Sequence, residues 1–290
     1  MEPDAPTLSV IVPTREPISA LTGVLEALVG QTLAVGGEVI VVGGTEMDVE
    51  ASPGLRLVPT QERDIMRLRS CGFAAARGDI VAIGEDHAFA RPEWAESIVR
   101  AHAEHPDTPI VVGCLVNSSD HTSPARGHFL SFASPFLPPM TTLPTRPPPT
   151  STVSIKRDAL DAVRDRPGAF ETELLPRLHI EGEMVVDDRI VVEHHQPFTI
   201  SKALSNALRV ARTSYGYGQR GWTRTEQRWR AKRALQTILL SSVREARVGR
   251  ARLQWPRRDL LVVGLIGMAL TLGAVVGSLR GPGRAPLRCS

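Results

Sequence analysis

Residues 78–87 read Gly-Asp-Ile-Val-Ala-Ile-Gly-Glu-Asp-His, a short apolar run that ends in three side chains able to bind metal, Glu85, Asp86 and His87. The run predicts a buried strand, and open α/β sheets bind their ligands beyond the carboxyl ends of their strands. Carboxylates together with an imidazole suit Mn²⁺ or Mg²⁺ that bridges a diphosphate. A solvated acidic turn after a strand would explain the stretch equally well on its own.

The sequence upstream of this stretch alternates predicted strands with predicted helices. Residues 8–13, 38–42 and 55–58 are short apolar runs that predict strands, as does 80–83. Apolar residues recur at helical spacing between 18 and 28, and 65–76 predicts a second helix. This order predicts an α/β fold with a mostly parallel sheet flanked by helices.

Composition agrees with one folded domain in a reducing compartment. The chain has 290 residues and is 42% hydrophobic, enough for one full α/β domain. Its three cysteines show no pairing pattern, and the run at 8–13 is too short for a signal peptide. The Pro-rich residues 135–149 predict a loop. We therefore expect this domain in the cytoplasm.

The C-terminal region predicts a membrane attachment. Residues 260–279 carry no charge, and about 20 such residues cross the ~30 Å core of a bilayer. Arg residues are more numerous before this run than after it, which predicts a single span with the N-terminal side in the cytoplasm. A buried core helix is the alternative.

Residues 226–250 are strongly basic and place apolar side chains along one helical face, which predicts an interfacial helix on anionic lipid. Nucleic acid is the competing partner for these charges, but no aromatic interleaving or helix-turn-helix pattern supports it. We therefore expect a membrane and no nucleic acid as partner. The predicted organisation is a sheet domain at 1–222, a basic juxtamembrane helix at 223–258, a transmembrane helix at 259–280 and a short tail at 281–290.

The order of motifs resembles that of the family-2-type inverting glycosyltransferases with a GT-A fold, over roughly the first two hundred residues. The matching positions are 9–14, Gln31, 68–72, 76–79, 85–87, Pro92 and Trp94. The resemblance implies a nucleotide-sugar donor and a divalent metal, Mn²⁺ or Mg²⁺. It places the donor against Pro13, Thr14, Glu16, Arg69, Glu85 and Asp86.

Residues 170–182 resemble the catalytic helix of the same family. The resemblance implies that Glu171 is the general base, in the place of the family's Asp, and puts Glu173 and Arg177 on the acceptor side. It also implies that Asp86, His87 and His194 bind the metal. His195 remains an alternative to His194, one residue along the predicted closing strand.

Besides Glu171, several positions depart from the family pattern, and one of them is His87, which stands at the last acidic position of the metal motif. An acidic pair usually follows the second strand, but this chain has Val42-Gly43-Gly44-Thr45, with Glu46 as a candidate replacement. Arg15-Glu16 replaces an Asn of the first motif. These departures leave the identity of the donor open.

The predicted function is inverting, metal-assisted sugar transfer to a hydroxyl of a lipid-linked or envelope-polysaccharide acceptor, in a membrane-anchored enzyme of bacterial type. The alternative is a catalytically degenerate, membrane-bound nucleotide-sugar-binding or scaffold protein, which the Gly43-Gly44 change favours. A sugar nucleotidyltransferase is not supported, because residues 13–16 do not form the Gly-rich phosphate loop that it requires.

Overall fold

The structure, a computed structural model, describes residues 6–44, 53–119 and 122–288. The strands are β1 (Leu8–Thr14), β2 (Glu38–Gly43), β3 (Leu55–Val58), β4 (Ile80–Ile83), β5 (Ala88–Ala90), β6 (Ile110–Asn117), β7 (Val153–Lys156) and β8 (Met184–His194). The helices are α1 (Thr22–Ala34), α2 (Ile65–Ala75), α3 (Trp94–Glu104), α4 (Ser123–Ala133), α5 (Arg157–Asp161), α6 (Leu175–Glu181), α7 (Ile200–Gly218), α8 (Arg224–Arg252) and α9 (Asp259–Arg280). A π-helical turn, Phe170–Leu174, leads into α6.

The chain divides into two compact units. Unit 1 comprises Met1–Val116 and Pro138–His195, and unit 2 comprises Asn117–Leu137 and Gln196–Ser290. Unit 2 therefore takes in α4 and α7, which lie within the 1–222 range of the predicted sheet domain.

Over the described residues, the sheet has eight strands in the order β3-β2-β1-β4-β7-β6-β8-β5. Pairs β1–β2, β1–β4 and β2–β3 are parallel, whereas β4–β7, β6–β7 and β5–β8 are antiparallel. The predicted α/β class is confirmed, but the expectation of a mostly parallel sheet is wrong, because the sheet is mixed. β5 is only three residues long and carries too little pattern to predict, and the direction in which strands pair depends on tertiary contacts that local sequence does not encode.

The parallel half positions the site. Every residue of β1 and β4 is buried, as expected for strands covered on both faces. Ile11 of β1 pairs with Ile83 of β4, and the Gly84 amide donates to the Ile11 carbonyl over 2.7 Å. The residues that follow β4 therefore emerge beside the end of β1.

A buried histidine lies where α3 packs against β7. His102 on α3 is 4% exposed, and its Nε2 lies 3.0 Å from the Ser154 hydroxyl on β7. Burial, with a smaller contribution from the charge of Lys156, lowers the pKa of His102 to about 4.

We expect His102 to make unfolding pH-dependent. The unfolded state, with its His pKa near 6.5, binds the proton first, so stability is full above about pH 6.5 and falls towards pH 4 by up to about 3 kcal/mol. Urea unfolding at pH 7 and pH 4.5 should show a smaller loss for His102→Gln than for the wild-type chain. Equal losses in the two proteins would contradict the assignment.

Candidate active site

Three side chains in unit 1 form a candidate metal centre. The ligand atoms of Glu85, His87 and His194 lie within 4.8 Å of one another. The Nε2 atoms of His87 and His194 are 3.4 and 3.5 Å from Glu85 Oε2. One carboxylate and two imidazoles are a donor set that Mn²⁺ accepts, so the residues present fit the predicted metal.

Antiparallel pairing of β5 with β8 brings His194 to the cluster. Ala88 pairs with His194, and the His195 amide donates to the His87 carbonyl over 2.9 Å. The rings of His87 and His194 meet edge to face with centroids 4.8 Å apart. Of the two histidines left open by the sequence, His194 is the one in the cluster, whereas His195 packs its ring edge against Phe89.

The electrostatics of the cluster keep Glu85 ionised. Burial alone would raise the pKa of the Glu85 carboxyl, but the hydrogen bond with His194 and the charges of His87, His194 and Arg69 lower it to about 2. Burial lowers the pKa of His194, aided by the nearby charge of His87. Burial also opposes the charge of His87, but its hydrogen bond with Asp86 and the charges of Glu85 and Asp86 raise the pKa above its usual value.

Asp86 supports the cluster from one side. Its Oδ1 lies 2.7 Å from His87 Nδ1, and its Oδ2 accepts a 3.2 Å hydrogen bond from the Thr14 hydroxyl at the end of β1. Asp86 thus orients the imidazole of His87 and is not among the three clustered side chains. Its predicted role as a metal ligand stays a prediction.

Arg69 on α2 links the cluster to Glu171. Its Nη1 donates to Glu171 Oε1 over 2.9 Å, and its Nη2 lies 3.8 Å from Glu85 Oε1. The side chains are 14% exposed for Arg69 and 11% for Glu171. The Glu171 carboxylate is therefore held next to the candidate metal centre. Arg69 donates a hydrogen bond to its Oε1, and no hydrogen bond from Arg69 to Oε2 is found in the described part of the chain.

The π-helical turn separates Glu171 from Glu173. Phe170 is buried and packs its ring against Phe73 of α2, with centroids 5.2 Å apart, which fixes the start of the turn. Glu173 is 52% exposed and pairs with Arg166. Arg177 is exposed and pairs with Glu181. The predicted acceptor-side residues, Glu173 and Arg177, thus lie on a solvent-facing side of this helix, away from the Arg69 contact.

The remaining predicted donor residues line the end of β1. Pro13 and Thr14 are buried, whereas Glu16 is exposed and uses its amide to donate to the Thr14 hydroxyl. Thr150 was not predicted as a site residue, but its hydroxyl lies 3.5 Å from Glu85 Oε1. Thr150 follows the Pro-rich segment, and no spacing or motif distinguished it from an ordinary loop residue.

The Gly43-Gly44 departure has a backbone cause. Gly43 has φ of +95°, and a Cβ there would lie 2.2 Å from the Thr14 carbonyl oxygen. Gly44 has φ of +83°, and its amide donates to the same oxygen over 3.3 Å. Glycine lets the chain leave β2 directly against β1, a conformation that an acidic residue at this position would strain. Glu46, the candidate replacement, lies outside the described residues.

We expect Gly43→Ala to lower the free energy of unfolding by about 2 kcal/mol or more, because it adds both a left-handed conformation and a backbone clash. The matched control is Gly30→Ala in α1, where a Cβ meets nothing within 4 Å. That change should be neutral or stabilise by up to about 1 kcal/mol. Chemical denaturation of both variants measures the difference, and equal midpoints would contradict the strain.

The mixed α/β sheet, with a carboxylate-imidazole cluster beyond β4 and an adjoining helix carboxylate, is consistent with the GT-A fold that the motif order predicts. Residues 9–163 match the sequence model of the family described as Glycosyl transferase family 2. The chain belongs to this family.

Solved structures are similar to this chain at low sequence identity. A structure titled "Crystal Structure of a Mycobacterial Protein" is 16% identical with a TM-score of 0.51, and the match covers 73% of each chain. S. aureus TarS is 12% identical with a TM-score of 0.45, over 70% of this chain and 38% of TarS. Glucosyl-3-phosphoglycerate synthase from Mycobacterium tuberculosis, solved with Mn²⁺, UDP-glucose and phosphoglyceric acid, is 16% identical with a TM-score of 0.44, over 68% and 74%. No curated protein matches the chain.

Proposed function

We propose that this protein transfers a sugar from a nucleoside-diphosphate donor to an acceptor hydroxyl, with inversion and with a divalent metal. The observation that carries the proposal is the Arg69 bridge between Glu85 of the metal-competent cluster and Glu171. Membership of glycosyl transferase family 2 supports the reaction class. The alternative of a degenerate scaffold is not favoured, because the cluster and the candidate base are both assembled.

The donor diphosphate would lie beyond β4. Glu85, His87 and His194 would hold the metal, and Asp86 would fix the orientation of His87 through Nδ1. The metal, when bound, offsets the negative charge that develops on the departing diphosphate. Arg69 supplies a fixed positive charge at the same place.

Glu171 would act on the acceptor. Arg69 contacts Oε1, so Oε2 is the oxygen that takes the proton from the acceptor hydroxyl. The freed acceptor oxygen attacks the anomeric carbon on the face opposite the leaving diphosphate, which inverts the configuration. Proton removal by such a carboxylate contributes about 10²- to 10⁴-fold.

The acceptor and the location are proposed together. The described chain has one helix long and apolar enough to cross a membrane, α9. We place the enzyme on the cytoplasmic side of the cell membrane, where a lipid-linked or envelope-polysaccharide acceptor is within reach. A single span by α9 stays a prediction.

A panel of nucleotide sugars tests the function. The purified full chain is incubated with each donor, with Mn²⁺, Mg²⁺ or chelator, and with lipid-phosphate and polysaccharide acceptors. Release of nucleoside diphosphate that depends on both metal and acceptor is the expected result. Donor binding without transfer across the whole panel would favour the scaffold alternative instead.

A further inference from the structure

The apolar helix α9 exposes large side chains and buries mostly small ones. Its exposed large apolar residues lie on one face and are 42–75% exposed: Leu261, Leu265, Met268, Leu272 and Leu279, defined here as the outer stripe. The opposite, buried face holds Val263 and Ile266 and otherwise consists of small residues: Gly267, Thr271, Gly273, Ala274, Gly277 and Ser278. A core helix of a water-soluble bundle has the reverse distribution, whereas helices in lipid pack through small residues.

The inner face of α9 packs backbone to backbone against its neighbours in unit 2. A Cβ on Gly273 would lie 2.2 Å from the Leu208 carbonyl oxygen of α7, and one on Gly277 would lie 2.6 Å from that of Arg212. A Cβ on Gly267 would lie 2.8 Å from the side chain of Leu239, which belongs to α8. The outer stripe therefore cannot turn inward without unpacking unit 2.

The charge of this region complements an anionic surface. Residues 196–290 contain 18 of the chain's 34 Lys and Arg but only 3 of its 31 Asp and Glu. One of those three, Asp259, is buried at the start of α9 in a bidentate pair with Arg126, at 2.6 and 3.2 Å. The charged side chains of the region are thus almost all cationic.

Cations on the helices that pack against α9 limit how deeply it can enter a bilayer. Arg233 and Arg244 of α8 bound an uncharged stretch of ten residues centred near Leu239, about 15 Å of helix, half of the ~30 Å hydrocarbon core. On α7, Arg212 lies directly beside Gly277. A helix that crossed the bilayer in this packing would carry these cations into the hydrocarbon.

We propose that unit 2 binds an anionic lipid bilayer with α9 lying in the membrane plane, its outer stripe among the acyl chains and the surrounding Arg residues at the headgroups. Such helices insert about 5–10 Å. The inference rests on the membrane location in the proposed function and replaces the predicted span by an in-plane helix. It does not involve the donor site of unit 1.

Vesicle flotation of the full chain tests the surface. The wild-type protein should float with phosphatidylcholine vesicles that contain phosphatidylglycerol and float much less with phosphatidylcholine alone. Leu265→Gln/Leu272→Gln should weaken binding by about tenfold or more per leucine. The matched control is Leu33→Gln/Ile180→Gln, two exposed apolar residues of unit 1, which should bind as the wild type does.

Several outcomes would overturn the proposal. Undiminished flotation of the Leu265→Gln/Leu272→Gln variant would exclude the outer stripe, and equal flotation with both vesicle types would exclude the role of charge. A soluble wild-type dimer that the same variant dissociates, without vesicle binding, would assign the stripe to a second copy of the chain. Unchanged donor binding by the variant, measured alongside, separates a failure of this inference from a failure of the proposed transfer.

A tag placed after Ser290 distinguishes an in-plane helix from a span. In spheroplasts of the expressing cells, an in-plane α9 keeps the tag protected from added protease until the membrane is lysed. Digestion of the tag in intact spheroplasts, with the rest of the chain protected, would show that α9 crosses the bilayer and would overturn the in-plane arrangement.

Discussion

Replacement of Glu171 by Gln is expected to lower sugar transfer by on the order of 10²-fold or more while donor affinity changes little. The amide of Gln keeps the size of the side chain and an oxygen that accepts from Arg69, so the 2.9 Å contact survives. What is lost is the ability to take a proton from the acceptor. Single-turnover transfer and donor calorimetry on the same preparation measure the two effects separately.

Glu173→Gln is the control on the same helix. Glu173 is 52% exposed and pairs with Arg166, so its substitution should change transfer by less than a few-fold. If both variants transfer at the wild-type rate, Glu171 is not the base. If both lose transfer equally, the helix as a whole and not the Glu171 carboxylate is responsible.

The parallel half of the sheet was predictable because its strands carry continuous apolar runs. β1, β2 and β4 are buried along nearly their whole length, and a residue that breaks the apolar pattern ends or follows each of them: Thr14, Gly43 and Gly84. The antiparallel half contains β5, which has only three residues, and its pairing depends on tertiary contacts that local sequence does not encode.

The sequence predicted which residues belong to the candidate site, but it did not predict how their side chains are arranged. The resemblance singled out Glu85, Asp86 and His87 together, but alternation along the chain after β4 sends neighbouring side chains in different directions. In the structure, Glu85 and His87 face His194, whereas Asp86 contacts His87 from the side and reaches Thr14. That division depends on the β5–β8 pairing and could not be derived from the motif alone.

The tail shows a similar limit. The apolar run and its Arg asymmetry were visible in the sequence, and they equally fit a span or a helix packed on one side. Only the contacts of Gly267, Gly273 and Gly277 show which face of α9 is already occupied. An apolar run shows only that a helix has the length and composition of a span. Which face of the helix is buried and which is exposed depends on the helices packed against it.

Two substitutions at the candidate metal centre distinguish a metal ligand, Glu85, from a residue that only orients a ligand, Asp86. Glu85→Gln removes the only carboxylate in the three-residue cluster and is expected to weaken metal-dependent binding of nucleoside diphosphate by more than about 10²-fold. Asp86→Asn keeps the cluster but loosens His87, and such supporting changes typically cost about 10- to 100-fold. Calorimetry with a nucleoside-diphosphate panel, with and without Mn²⁺, gives both affinities.

The order of these two effects is what tests the geometry. Asp79→Asn, at the opposite end of the β4 segment and 75% exposed, is the control and should leave metal-dependent binding unchanged. A larger loss in Asp86→Asn than in Glu85→Gln would favour Asp86 as a metal ligand, the role that the sequence resemblance implied. Equal, metal-independent binding in wild type and all three variants would remove the metal from the proposed reaction, and the charge on the departing diphosphate would then be left to Arg69.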